Sequence, residues 1–142
     1  MAVQNAHKVE ARQPIASGDH AGAAATLQWS GDIDGALALY RAILSREPNS
    51  IDTLRLFGLA LARKGLSDEA EIQLCRCLTL APDFVFAWNN LGSVLYERDR
   101  LDEAIDASEH AIALDAGDAQ SHFNLGNALA AMGAHARATQ SV

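Results

Sequence analysis

The side chains in this sequence whose types and spacing suggest the most ordered chemistry are amides. Asn90 and Asn124 stand 34 residues apart, with Asn89 and Asn127 close by. A side-chain amide carries both a donor and an acceptor, so regularly spaced amides can pair with the N–H and C=O of an extended peptide. Pairing of that kind reads backbone rather than sequence. Phe86, Tyr96 and Phe123 would add apolar contact, while Arg55 and Arg63 offer charge to an acidic side chain or a C-terminal carboxylate. Catalytic and metal chemistry is harder to assemble. Histidines are scattered at 7, 20, 110, 122 and 135, with no two on one helix at ligand spacing. Carboxylates fall mostly at helix starts, where capping accounts for them, and the glycines follow a helix period instead of forming a phosphate-cradling loop. Cys75 and Cys77 make a Cys-x-Cys pair that cannot easily close a disulfide on a helix, and metal-binding spacing is absent. No catalytic residue, metal site or cofactor is expected.

The interval between Asn90 and Asn124 is also the period of nearly the whole chain. Glycines at 58, 92 and 126 and alanines at 36, 70, 104 and 138 repeat with it. With the glycine at register position 8, the repeats are 17–50, 51–84, 85–118 and a shortened 119–142. Position 11 is Leu27, Leu61, Leu95 and Leu129, and position 15 is Gly31, Gly65, Asp99 and Gly133. Position 32 is Pro48, Pro82 and then Ala116. Apolar residues three and four apart predict amphipathic helices over 17–30, 33–46, 51–63, 67–80, 85–97, 101–114, 119–132 and 135–142. Small residues at positions 8 and 20 let paired helices approach closely, and glycine at 15 and proline at 32 stop them. Asp34, Asp68, Glu69, Asp102 and Glu103 open second helices, where the helix dipole favours negative charge. Ser50, Asp83 and Asp118 are the expected N-caps of first helices.

Residues 17–142 resemble the tetratricopeptide (TPR) repeat family, whose period this is. The strongest stretches are Ala87-Trp88-Asn89-Asn90-Leu91-Gly92 with Leu101-Asp102-Glu103-Ala104-Ile105, and His122-Phe123-Asn124-Leu125-Gly126-Asn127-Ala128-Leu129. The Asn-Leu-Gly triplets look most like repeats of O-linked N-acetylglucosamine transferases and related bacterial proteins. The first repeat departs from the pattern, with His20, Ala23 and Ala24 at positions 4, 7 and 8. The resemblance implies an all-α solenoid: antiparallel helix pairs in a right-handed superhelix of about three and a half repeats. First helices would line a concave groove through positions 2, 5, 6, 9, 12 and 13. In those transferases, asparagines at position 6 form a ladder along the backbone of an extended polypeptide. Asn90 and Asn124 would be two rungs, with the ladder interrupted at Gly22 and Leu56. Gln28 and Trp29 would reach the groove from the first repeat, while Cys77 and the position-4 histidines, His20 and His122, would be core. A carboxylate clamp for chaperone tails is not expected, because the inner positions carry no lysine and their arginines are confined to repeat two.

Composition bounds the rest. The formal net charge of −7 argues against a general nucleic-acid binder, and no apolar run is long enough to span a bilayer. Residues 1–16 lack a secretory pattern and read as a disordered lead-in or an extra helix, which makes the cytoplasm the default compartment. Leu125, Leu129, Met132 and Val142 would leave an uncapped apolar face at the carboxyl end, open to self-association or to further repeats. The expected function is a non-enzymatic scaffold that binds a peptide segment of a partner protein. The alternatives are the substrate-recognition arm of a glycosyltransferase whose catalytic domain lies beyond this sequence, and a structural oligomerisation module.

Overall fold

The computed structural model describes residues 17–140, with side-chain surroundings from Gly22 to Thr139. Expectations for residues 1–16, for the side chain of His20 and for Val142 lie outside the described residues. The helices are α1 Ser17–Trp29, α2 Ile33–Arg46, α3 Ile51–Lys64, α4 Ser67–Leu80, α5 Val85–Glu97, α6 Leu101–Leu114 and α7 Ala119–Gln140. No strand occurs among the described residues.

Local chemistry sets most of the boundaries. Gly31 and Gly65 turn the chain in the left-handed region, at φ 100° and 91°, and Asp99 takes the same role at φ 62°. Asp32 caps α2 by accepting from the Gly35 N–H at 2.9 Å, and Asp118 caps α7 by accepting from the Ser121 N–H at 3.0 Å. Two expected caps behave differently. Ser50 holds the cap position of α3, but its hydroxyl donates to Thr53 Oγ1 instead of accepting a backbone N–H. Phe84, not Asp83, precedes α5.

Each helix packs against its successor, and the first helices α1, α3, α5 and α7 also pack on one another in order. The backbones of the second helices α2, α4 and α6 do not approach one another among the described residues, and α2 reaches α4 through the long side chains of Arg41 and Glu69, paired at 2.9 Å. A layer that stays in contact beside one that splays apart is a curved sheet of helices, with the first helices inside the curve. The core between the layers contains Tyr40, Leu54, Leu61 and Leu74, all fully buried. Burying each such leucine is worth about 1.5–3 kcal/mol. At position 20, Ala36, Ala70 and Ala104 are buried as their size predicts, whereas Ala138 is exposed. Position 8 is equally tight in α3, where a Cβ on Gly58 would lie 2.7 Å from Leu74 Cγ.

The end of the chain corrects the expectation of two helices at 119–132 and 135–142. α7 runs unbroken from Ala119 to Gln140, through Gly133. In the preceding hairpins the second helix buries Leu74, Cys77 and Leu78, or Ala107 and Ala111. Beyond Gly133 the apolar side chains of α7 are all alanines, and residues 134–139 are exposed. So little burial does not offset the hydrogen bonds a turn would break, and alanine favours continuing the helix.

Candidate functional site

The concave layer brings equivalent positions of successive first helices side by side. Between α3 and α5 lies a hollow of about 190 Å³ lined by Leu59, Ala62, Arg63, Asn90, Ser93 and Glu97, with Val94 at its floor. Between α5 and α7 lies a second, of about 220 Å³, lined by Ser93, Tyr96, Glu97, Gln120, Phe123, Asn124 and Asn127 around Gly92. The hollows are related by the repeat, and each has a position-6 asparagine in its wall. Ser93 and Glu97 belong to both.

The asparagines are anchored in different ways. Asn124 Nδ2 donates to the Asn89 carbonyl at 3.3 Å, and its Oδ1 accepts from Gln120 Nε2 at 2.9 Å. An amide has two donor hydrogens and two lone pairs, so one of each remains for a ligand. Asn90 Oδ1 accepts a longer bond from Arg55 Nη1, at 3.4 Å. Arg55 is half-buried between α3 and α5, with its guanidinium over the Phe84 and Phe86 rings at 5.6 and 5.2 Å. Burial pushes its pKa down, and the charge of Asp52 partly offsets this. Arg63 is exposed and stacks over Trp29 at 4.4 Å. Phe86 and Phe123 stand well out from the surface, and Tyr96 less so.

Three positions differ from the sequence expectation. Asn89 is buried within the α5–α7 contact instead of facing the groove. Its Nδ2 donates to Asp118 Oδ2 at 2.8 Å, and the Ser121 hydroxyl lies 3.0 Å from its Oδ1 and 2.6 Å from the same carboxylate. The Ser121 hydroxyl, Asn89 and the Ser121 N–H together hold the Asp118 carboxyl below its usual range. Position 5 is thus covered by the following first helix. Phe123 shares that position and is exposed because no described helix follows α7. Gln28 is also buried and accepts from the Tyr40 hydroxyl at 3.0 Å; burial pushes that phenol up to about 12. His122, expected in the core, is exposed, with Nε2 2.7 Å from the Ala116 carbonyl.

Away from the groove, Cys77 is buried as expected, and burial lifts its thiol to about 11. Cys75 is exposed, yet desolvation also raises its pKa, which favours the less reactive thiol form. Among the inner-face positions that the sequence does not single out as site residues, such as Ser93 and Gln120, the most consequential is Glu97. It stands at position 13, the same register position as Arg63, and only the geometry reveals that it belongs to both hollows.

The tetratricopeptide repeat pattern matches residues 30–83, and a TPR repeat pattern matches residues 92–133. The chain belongs to the tetratricopeptide repeat family. One curated relative, BBSome complex member bbs-4 of Caenorhabditis elegans, is 31% identical to this TPR chain over 88 residues. That match covers 62% of the chain but spans only 19% of the relative's length. Among solved TPR folds, MamA is 32% identical, covering 82% of this chain and 68% of its own, with a TM-score of 0.72. A Thermobaculum terrenum O-GlcNAc transferase mutant is 26% identical, covering 91% of this chain and 23% of its own, with a TM-score of 0.75. The first TPR of Spaghetti (RPAP3), solved with an HSP90 peptide, has a TM-score of 0.77 over 80% of this chain and 90% of its own. At 17% identity that likeness concerns the fold alone.

Proposed function

We propose that this TPR chain is a non-catalytic cytoplasmic scaffold that holds an extended segment of a partner protein along its concave face. The observation that carries the reading is the repeated hollow between first helices, each with a position-6 asparagine in its wall. Adjacent first helices lie about 8–10 Å apart, close to the span of three extended residues at about 3.3 Å each. Successive rungs would therefore meet every third residue or so of the ligand. Asn90, Asn124 and Asn127 supply amides to its backbone; Phe86, Tyr96 and Phe123 cover its apolar parts; Arg63 offers a cation. Arg55 supports Asn90 from behind. Asn89 is left out of the contact set because α7 covers it.

The test is selection from a display library of random peptides, repeated with the Asn90→Ala, Asn124→Ala double variant after circular dichroism has shown it folded. Peptides retained by the native chain and lost by the variant are the expected result. Equal retention by both would end the ladder reading.

A second reading is favoured by the likeness to the O-GlcNAc transferase, which has 26% identity over 91% of this chain. The same groove would then be the substrate-recognition arm of a larger glycosyltransferase. A nucleotide-sugar domain in the adjoining coding sequence would favour that reading, and its absence from the full gene would remove it. Self-association through α7 is a third proposal, resting on the exposure of Phe123 and Leu129. Sedimentation showing a strict monomer at high concentration would exclude it.

A further inference from the structure

The two hollows share a plan but differ in charge. The one between α3 and α5 contains Arg63 and Glu97, of opposite sign. In the one between α5 and α7, Glu97 is the only ionised side chain of the lining. Glu97 is exposed and forms no ion pair among the described residues.

The outer surface is organised differently. Arg98 pairs there with Asp68 and Glu71, Arg100 pairs with Glu71 and Glu103, and Arg76 donates to the Pro48 carbonyl. A large hollow lined by Asp68, Glu71, Arg76, Arg98 and Arg100 therefore holds charges that already have partners. On the groove side a carboxylate is left open to solvent beside two aromatic rings, Tyr96 at 39% exposure and Phe123 at 63%.

We infer that the α5–α7 hollow is a subsite for a lysine or arginine side chain of the peptide held in the groove. The inference rests on the groove reading and adds a side-chain preference to it. A cation entering there would meet the Glu97 carboxylate as its ionic partner, with the Tyr96 and Phe123 rings in the same lining to attract it. Gln120 and Asn127 offer amide oxygens to its remaining N–H groups. A hollow of about 220 Å³ accommodates an extended basic side chain. The chain's net charge of −7 would also draw a basic segment toward it.

Because Arg63 stands one helix away on α3, the groove is polarised along its length. An acidic residue about three positions from the basic one would reach Arg63 in the neighbouring hollow. Backbone-reading amides cannot distinguish the two directions of a peptide, and this separation of charge would do so.

The experiment is peptide selection on the native chain, Glu97→Gln and Glu97→Lys, followed by affinity measurement on the best selected peptide. The native chain should enrich lysine or arginine at one position of the selected peptides. Glu97→Gln should bind the same peptide about tenfold more weakly. Glu97→Lys should shift the enrichment at that position toward aspartate or glutamate. Peptides that bind the native chain and both variants equally, with no basic preference, would overturn the subsite while leaving the groove reading intact. No selection by any of the three folded proteins would overturn both.

Discussion

The hairpin α5/α6 and the helix α7 carry the same register of residues in different surroundings. A Cβ on Gly92 would lie 3.5 Å from Ser108 Oγ and 3.7 Å from Ala107 Cβ, whereas one on Gly126 would meet nothing within 4 Å. Leu95 is 4% exposed and Leu129, at the same position, is 51% exposed. Asp99 turns the chain at φ 62°, while Gly133 continues a helix. A repeat's own residues therefore encode what it can do, and its neighbours decide which of those things it does. This is the energetics of a stack, in which each unit is stabilised largely by the interfaces beside it.

The largest contrast should come from position 11. Leu61 is fully buried, so Leu61→Ala should cost about 2–5 kcal/mol in a urea titration followed by circular dichroism. Leu129→Ala removes the same atoms from an exposed site and should change stability by no more than about 0.5 kcal/mol. Equal losses would mean that α7 is covered in solution, and that the two regions are more alike than their exposures indicate.

Position 8 should give a smaller contrast of opposite signs. Gly58→Ala places a Cβ 2.7 Å from Leu74 Cγ, in a fully buried side chain with little room to shift. Overpacking of this kind costs about 1–3 kcal/mol, more than alanine's helix propensity is expected to return. Gly126→Ala meets open space and should stabilise by up to about 1 kcal/mol. A stabilised Gly58→Ala would show that α3 and α4 can separate without loss, and a destabilised Gly126→Ala would place an unseen neighbour against α7.

That contrast also explains how far the sequence could be read. Helix limits from Ile33 to Leu114 follow within a residue from periodicity, turn glycines and small-residue spacing, because those are local signals repeated several times. The turn at Gly133 was expected on the same signals and did not form, since a turn also needs a second helix with something to bury. The groove was legible as a set of positions, and the hollows between first helices bring Asn90, Asn124, Asn127, Arg63, Tyr96 and Phe123 to their walls. Position 5 was not legible, because the next first helix decides whether its side chain is open. That helix covers Asn89 and partly covers Arg55, but no described helix covers Phe123. Glu97 and Arg63 look interchangeable as inner-surface charges, yet Arg63 lies over an aromatic ring and Glu97 forms no ion pair among the described residues.

The subtlest contrast concerns the polar link that joins the two regions. Asn89 on α5 and Ser121 on α7 both engage Asp118, whose carboxyl pKa lies below the ordinary 3.8 because of those hydrogen bonds. An unfolded chain, with the carboxyl at its ordinary value, binds more protons than the folded one between the two pKa values. The link's stabilisation is therefore fully present above the unfolded value and is lost as pH falls through the lowered folded one. Asp118→Asn keeps a capping oxygen but removes the charge. Its melting temperature should lie below that of the native chain at neutral pH, with the gap closing as acid is added. Glu103 has a lowered pKa for the separate reason of its bond to Arg100, so Glu103→Gln should remove a different part of the acid dependence. A gap between Asp118→Asn and the native chain that stayed constant from neutral to acid would mean that the carboxylate acts through shape alone. The α5–α7 contact would then depend on the packing of its small residues, without help from charge.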